Sequence, residues 1–353
     1  MLTQKRYLQI IIFGIMLSFL VAGCGGSDAV VGSSADPFLG GSQGLELSFL
    51  RGTPPDEVAD GDTFDFQAVL RLKNRGEFNL AAADVEIDLI GFLPQDFRSG
   101  VNDFIIPDDL NKENPDEDPG RREKDSEGNI IDAAEVFKTF PSDTAFFKYK
   151  DEITGNTDFT FRANVCYKYG TTAVADICIL NDLVRDSSDA LCSPRGSKAV
   201  FSSGSPIKVS SLRQSVVGTN KIQFSFDIVH SGRGDVFGVG VTGQDDPFCP
   251  KTAADKRTNE NNVKIAVKTG LTKEVVAGEN SLECVGLNLV DGSEITANRY
   301  GVIRLVDGKR TITCTQILEA TNRGDFERNV DITLDFNYMD SVDKKVVVKS
   351  LIG

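Results

Sequence analysis

The chain has no tryptophan and only one histidine, His230, among its 353 residues. Without tryptophan it cannot build the Cys-Trp-Cys core of a true immunoglobulin domain. A Ser-His-Asp or Cys-His catalytic set could be built only on His230. The sequence also has no C-x-x-C pair, so the ligand spacing of a common zinc site is missing. We therefore expect a protein that is not an enzyme and holds no metal or cofactor.

Positive charge and long apolar segments are also scarce. Lys and Arg number 38 against 52 Asp and Glu, which leaves a formal net charge of -14. Such a chain has no basic stripe that could displace counterions from phosphates, so we expect no nucleic-acid partner. No apolar run long enough to span a membrane follows residue 24. Everything after that residue is expected on the exported side of a membrane.

The N-terminus has the pattern of a lipoprotein signal. Lys5 and Arg6 precede an apolar run over residues 8–22, and a small-small-Cys ending follows at Cys24. This pattern predicts cleavage before Cys24 and lipid attachment to its thiol, which makes the membrane a partner of the protein. Gly25 after the cysteine favours the outer membrane of the cell envelope if the cell is diderm. An ordinary signal peptide, or an uncleaved anchor helix, is the alternative interpretation.

Period-two alternation of apolar residues predicts strands along most of the chain. Phe64, Phe66, Ala68, Leu70 and Leu72 share one side of a strand, with mostly polar residues between them. Similar runs recur up to residue 349, whereas helical periodicity is scarce. Short strands with glycine-marked turns favour an all-β, antiparallel two-sheet sandwich.

An internal repeat divides the strand-rich region. Residues 64–78 match 222–237 when Gly76 is laid on Gly232, and the segments before and after them also match, with Asn164 on Asn337. Three matches in the same order predict two tandem copies of one β-domain. The expected organisation is a signal peptide over 1–23, a flexible tether over 24–44, a first sandwich over 45–182 with an acidic insertion near 98–135, a linker over 183–205, and a second sandwich over 206–353.

The ends of the matched strands resemble a known family of modules. The runs that close on Asn74-Arg75-Gly76, and on His230-Ser231-Gly232, are similar to the strand-then-N-x-G element of cell-adhesion-related (CARDB-type) and other immunoglobulin-like modules of prokaryotic surface proteins. The resemblance implies an immunoglobulin-like fold and a surface location. We attribute each glycine to a turn of positive φ, and His230 departs from the Asn of the pattern.

The six cysteines after Cys24 are expected to form disulfides, because they are an even number in an exported chain. Six cysteines allow 15 pairings, and sequence alone leaves them open. Strand positions favour Cys166 with Cys178 across a turn near Gly170, and Cys284 with Cys314. The remaining pair, Cys192 with Cys249, would then clamp the linker onto the second domain.

The acidic insertion invites an interpretation as a calcium loop. Its oxygen-bearing residues alternate, but the glycine that such a loop requires is missing and prolines interrupt it. We interpret it as a solvated insertion without a metal. The calcium candidates are Asp109, Asn111, Glu113, Asp116 and Asp118.

These features together predict a non-enzymatic, lipid-anchored surface protein that serves as a spacer, an adhesin or a subunit of an envelope assembly. The alternative is a ligand-binding lipoprotein that holds a glycan or a peptide on sandwich loops. An extracellular hydrolase comes third, because two β-domains account for the chain. Exposed aromatic residues would favour binding, and their burial would favour a structural role. The aromatic residues in question are Phe92, Phe97, Phe104, Phe137, Phe140, Phe146 and Phe147.

Overall fold

The computed structural model describes residues 36–98, 112–185, 190–239, 249–250, 252–271, 281–289, 298–319 and 323–351. The predicted signal peptide, Cys24 and most of the tether lie outside these residues. No helix among the described residues is long and apolar enough to cross a membrane. From Phe38 onward, the described residues form one compact unit.

The prediction of an all-β antiparallel fold is confirmed. Among the described strand pairs, β2 beside β22 is the one that runs parallel. The described residues contain one short α-helix, α1 (Ala253–Asn259), which begins after Thr252, whose side chain accepts a hydrogen bond from the Asp255 amide. Single 3-10 turns lie at Ala82–Asp84 and Pro94–Asp96. The strands are β1 (Leu45–Phe49), β2 (Glu57–Ala59), β3 (Ala68–Asn74), β4 (Val85–Ile90), β5 (Phe97–Arg98), β6 (Lys112–Glu113), β7 (Glu123–Lys124), β8 (Ile130–Ile131), β9 (Glu135–Phe140), β10 (Lys148–Tyr149), β11 (Asn156–Ile179), β12 (Gly196–Ser197), β13 (Val200–Ser202), β14 (Ile207–Gly218), β15 (Lys221–His230), β16 (Asp235–Phe237), β17 (Asn262–Lys268), β18 (Leu282–Val285), β19 (Asn288–Leu289), β20 (Asn298–Arg304), β21 (Lys309–Ile317) and β22 (Phe326–Lys349).

Alternating side chains build the core of each half. In β3 the buried apolar positions are Ala68, Leu70 and Leu72, and in β15 they are every second residue from Ile222 to Ile228. Successive side chains of a strand point to opposite faces, so this pattern buries one face of each sheet. Phe66 continues the buried row as the sequence predicts, whereas Phe64 is 40% exposed.

The two repeats have the same strand order. The first repeat has one sheet with the order β1-β3-β9 and contributes β11-β4-β6 to a second sheet. The second repeat has the equivalent order β14-β15-β21 in one sheet and contributes β22-β17-β20 to the other. Each half is therefore a two-sheet sandwich in which the last long strand, β11 or β22, returns beside an earlier strand. The repeat detected in the sequence corresponds to a repeated topology.

The two halves are not separate bodies, and this corrects the expected division into two domains with a linker. β11 and β22 pair antiparallel along their whole 24-residue lengths, from Asn156 opposite Lys349 to Ile179 opposite Phe326. One ten-stranded sheet thus belongs to both halves, and one hydrophobic cluster runs through both. The segment expected to be a linker is also part of the sheets, since β12 pairs with β14 and β13 with β11.

The turn that the sequence predicts near Gly170 is absent. β11 passes through this glycine without interruption. A Cβ on Gly170 would lie 2.7 Å from the Phe78 ring, so the position requires glycine because of a close approach. The uninterrupted strand is long enough to pair with β22 from end to end.

All six cysteines after Cys24 form disulfides, but two of the three pairings differ from those favoured by the sequence. Cys284 and Cys314 are joined as predicted, on directly paired positions of β18 and β21. Cys166 and Cys178 lie twelve residues apart on one continuous strand, about 40 Å at 3.3 Å per residue, and a disulfide spans Cα atoms no more than about 7 Å apart. The bridges are instead Cys166–Cys249 and Cys178–Cys192.

These two bridges reverse the expected role of the segment between the repeats. Cys192 ties that segment to β11 of the first half, and Cys249 ties a loop of the second half to the same strand. In the chain-entropy model, the 83-residue separation of Cys166 and Cys249 restricts the unfolded chain by about 4.5 kcal/mol. The 14-residue separation of Cys178 and Cys192 contributes about 3 kcal/mol. The longer bridge therefore reinforces the junction of the two halves.

We expect non-reducing peptide mapping of the exported protein to recover Cys166 with Cys249, Cys178 with Cys192 and Cys284 with Cys314. The same digest after reduction is the control, and it should lose all three linked peptides. A peptide that joins Cys166 to Cys178 would contradict the continuous strand β11, because a strand cannot fold back on itself within that distance.

Candidate functional site

Three tyrosines lie side by side at the middle of the β11–β22 pair, where the two halves meet. Tyr167 is directly opposite Tyr338, with ring centroids 5.6 Å apart, and Tyr169 lies 5.7 Å from Tyr167. All three rings are buried. The Tyr167 hydroxyl accepts a hydrogen bond of 3.2 Å from the Leu45 amide at the start of β1. The cluster therefore joins the shared sheet to the smaller sheet of the first half.

In the first repeat, Tyr169 is bonded to the end of β3. Its hydroxyl donates to Oδ1 of Asn74 at 3.0 Å, and the same oxygen accepts the Gly76 amide. The Asn74 amide group donates to the carbonyls of Phe78 and Gly120. Burial raises the pKa of the Tyr169 hydroxyl, so the group stays protonated and remains a donor.

In the second repeat, His230 takes the place of Asn74. Its Nε2 lies 3.0 Å from the Tyr338 hydroxyl, which also accepts the Gly234 amide at 2.7 Å. Burial lowers the pKa of His230, although Asp235 opposes the shift, and burial raises the pKa of Tyr338. The neutral imidazole can therefore accept a hydrogen bond from the tyrosine hydroxyl, which keeps its proton. His230 has a structural role at the equivalent strand end.

Both glycines of the repeated element are required by contact with these tyrosines. A Cβ on Gly76 would lie 2.0 Å from the Tyr169 hydroxyl, and one on Gly232 would lie 2.2 Å from that of Tyr338. Neither glycine has positive φ, so the explanation as a left-handed turn is wrong. The glycines instead let the backbone approach the shared sheet closely.

The contacts define which residues of β11 and β22 correspond. Tyr169 corresponds to Tyr338. This equivalence differs by a shift of four residues from the sequence alignment that laid Asn164 on Asn337. On this equivalence Lys168 corresponds to Asn337, and these two residues are directly paired in the structure. A strand residue that lies opposite its own repeat equivalent is the mark of a local two-fold axis.

Glu77 follows Gly76 and holds two chain segments against the first half. Its carboxylate accepts the amides of Leu39 at 2.9 Å, Gly40 at 3.0 Å and Gly204 at 2.5 Å. A carboxylate that accepts several backbone amides is a strong, directional anchor. The N-terminal segment and the segment between the repeats are thus both held on Glu77.

The corresponding place in the second half is an open cleft of about 480 Å³. Arg233 follows Gly232 there, as Glu77 follows Gly76, and no described acidic side chain pairs with its exposed guanidinium. The volume lies within the usual range for ligand sites, and the walls are mainly polar. Residues from both repeats line it, among them Gln43, Glu46, Tyr167, Arg233, Asp340 and Ser341.

The described part of the acidic insertion is used to fasten the insertion to the strands. Lys138 contacts Glu113 at 2.6 Å and Asp116 at 3.4 Å, and Asp118 accepts the Ala82 amide at 2.7 Å. Asp109 and Asn111 lie outside the described residues. Within the described ranges, no group of three or more His, Cys, Asp or Glu side chains is arranged to hold a metal.

The aromatic residues singled out in the sequence are divided between core and surface. Phe97, Phe140 and Phe147 are buried, and Phe92 stacks on Phe161 with ring centroids 4.5 Å apart. Phe137 and Phe146 are 44% and 39% exposed. Phe104 lies outside the described residues, as does the lipidation candidate Cys24. Most of this set forms the core of the first half.

Comparisons with known proteins do not assign the chain to a family. No protein-family model matches the chain, and no curated protein does. Among solved structures, the secreted serine protease VesC from Vibrio cholerae aligns at 8% identity and a TM-score of 0.16. The alignment covers 84% of this chain and 50% of that chain, so this chain matches about half of the protease. A similarity at that TM-score carries no argument about fold or activity.

We expect the His230→Asn substitution to reduce the pH dependence of stability. The folded pKa of His230 is lowered below its unfolded value of about 6.5. Its contribution is therefore complete above about pH 6.5 and is lost as pH falls from there through the lowered pKa. Asn at this position can keep the tyrosine bond, as Asn74 does in the first repeat.

Urea unfolding of both proteins at pH 7.5 and pH 5.0 measures this effect. Shared carboxylates affect both proteins equally, so the comparison isolates the imidazole. The wild type should lose more stability between the two pH values than the variant. An equal loss in both would contradict a half-buried, neutral histidine.

Proposed function

We propose that the chain is a non-enzymatic, lipid-anchored protein of the cell envelope that serves as a spacer, an adhesin or a subunit of an envelope assembly. The observation that carries the proposal is a single β body in which disulfides tie the second half and the segment between the repeats to one strand, β11. Disulfides form and persist in oxidising, exported compartments. The lipobox-like ending at Cys24 supplies the expected anchor.

Rigidity supports the spacer role in particular. The paired strands β11 and β22 each have 24 residues, which is about 80 Å of chain at 3.3 Å per residue before twist. The disulfides of Cys166 and Cys178 attach two other segments of the chain to β11, which is one strand of this pair. A body of this kind holds its two ends at a constant separation.

The entry of the N-terminal segment supports attachment through one fixed point. Glu77 binds the amides of Leu39 and Gly40, and the Lys124 ammonium donates to the Phe38 carbonyl at 2.9 Å. The described end of the predicted tether is therefore held on the first half. The partners expected of such a protein are the membrane and a protein or glycan at the surface, and the acidic net charge makes a nucleic-acid partner unfavourable.

A ligand-binding lipoprotein is the second candidate function. The cleft beside Arg233 favours it, because its volume and polar lining suit a specific ligand. The resemblance to CARDB-type modules fits both candidates, since these modules belong to surface proteins.

Replacing Cys24 with Ser tests the anchor. We expect the variant to lose incorporation of radiolabelled palmitate and to move from the membrane to the soluble fraction, because no acylated thiol remains. Ser27→Ala, which leaves the lipobox-like ending unchanged, is the matched control and should stay labelled and membrane-bound. Retention of Cys24→Ser in the membrane fraction would contradict a lipid anchor at this residue.

A further inference from the structure

An extended segment of the chain lies beside β11 in the first half. β13 pairs with β11 at residues 173–175, and the Ser203 amide continues the pairing by donating to the Thr172 carbonyl at 2.8 Å. The Thr172 amide donates to the Ser203 hydroxyl at 3.0 Å. Gly204 then reaches the Glu77 carboxylate. An added strand therefore fills the edge of β11 next to Glu77.

The corresponding edge of β22 has no described strand beside it. By the local two-fold axis, Thr171 and Thr172 correspond to Asp340 and Ser341, which line the open cleft. On that side, β16 pairs with β22 only as far as Met339, and β2 pairs with it only from Val347 onward. Residues 340–346 between them have no described partner on this edge.

The backbone of this edge is directed outward. The Ser350 amide donates to the Gly155 carbonyl of the β11 side, so in an antiparallel ladder the even-numbered residues of β22 exchange hydrogen bonds with β11. Ser341 and Asp343 therefore direct their amide and carbonyl groups away from β11, and both residues are exposed. An edge of this kind is a template for strand addition.

The protein's own equivalent segment does not fill the place. Residues 41–43 correspond to 203–205, but the chain just before them is held in the first half, where Leu39 and Gly40 bind Glu77. The Ser205 amide also donates to the Gly41 carbonyl. No described segment of the chain therefore pairs with this edge.

We propose that this cleft binds an extended, acidic peptide segment of a partner protein, which adds a strand antiparallel to β22 along residues 340–344. The inference rests on the proposed role as a protein-binding surface module. The Arg233 guanidinium replaces the Glu77 carboxylate, so this end of the cleft binds a carboxylate where its counterpart binds amides. The Asp340 carboxylate accepts the Ser341 amide at 2.8 Å, so the added strand has to take over that amide from Asp340. A glycan is less suited, since the rings of Tyr167 and Tyr338 are buried and offer no stacking face.

A random octapeptide display library, selected against the full-length, unlipidated Cys24→Ser chain with its disulfides intact, tests the proposal. Selected peptides should share an acidic residue at one position. Arg233→Glu should weaken their binding about tenfold or more, and the same peptides with Lys in place of the acid should bind this variant better than the parent chain. Arg213→Glu is the matched control, because Arg213 is exposed on β14 outside the cleft and its replacement should leave binding unchanged.

A tryptophan reporter places the bound peptide, because the chain has no tryptophan of its own. Ser42→Trp at the cleft should change its emission on binding, whereas Val217→Trp, 49% exposed at the far end of β14 and outside the cleft lining, should not. The proposal would be overturned if Arg233→Glu and Arg213→Glu weakened peptide binding equally, or if the selected peptides had no acidic residue. It would also be overturned if the emission of Trp at position 42 did not change on binding. Failure to select any peptide, with binding on a glycan array that Arg233→Glu abolishes, would also overturn it. Lipid labelling at Cys24 is independent of Arg233, so these outcomes leave the test of the anchor separate.

Discussion

The pairing of β11 with β22 is the interaction on which the rest of the structure depends. Each repeat alone would end in a long strand with one edge unpaired, which is a site for aggregation. Pairing the two ends covers 24 positions on each strand and turns two sandwiches into one body with a single core. The tyrosines at the centre of the pair then connect the shared sheet to both smaller sheets, through Asn74 in one half and His230 in the other.

The local two-fold axis makes the differences between the halves informative. The strand order, the glycine against a tyrosine hydroxyl, and the polar partner of that hydroxyl are all repeated. What is not repeated is the residue after the glycine, Glu77 in one half and Arg233 in the other. Glu77 collects two segments of the chain, and the place beside Arg233 is open. One side of the junction therefore holds segments of the protein itself, and we propose that the other side binds a partner.

The sequence predicted the fold class, the repeat and the use of all six cysteines, because alternation and repeated order are local patterns. Strand partners and disulfide pairings are set by long-range packing, so the fusion of the halves and the Cys166–Cys249 bridge were not predictable. The sequence alignment of Asn164 with Asn337 is wrong by four residues, and this error has a specific cause. Any even shift preserves which side chains face the core, so alternation cannot distinguish one even register from another. No sequence pattern marked Glu77 or Arg233 as functional residues, because their surroundings are built by segments that are distant from them in the chain.

Native-state hydrogen exchange of the intact protein tests the central claim most directly. If β11 and β22 make the two repeats one cooperative unit, the slowest amides of β3 in the first half and β15 in the second should exchange with the same free energy of opening and the same dependence on denaturant. Amides in the middle of β11 and β22 should share that value. A lower opening energy throughout one half, with the other half still protected, would contradict the account.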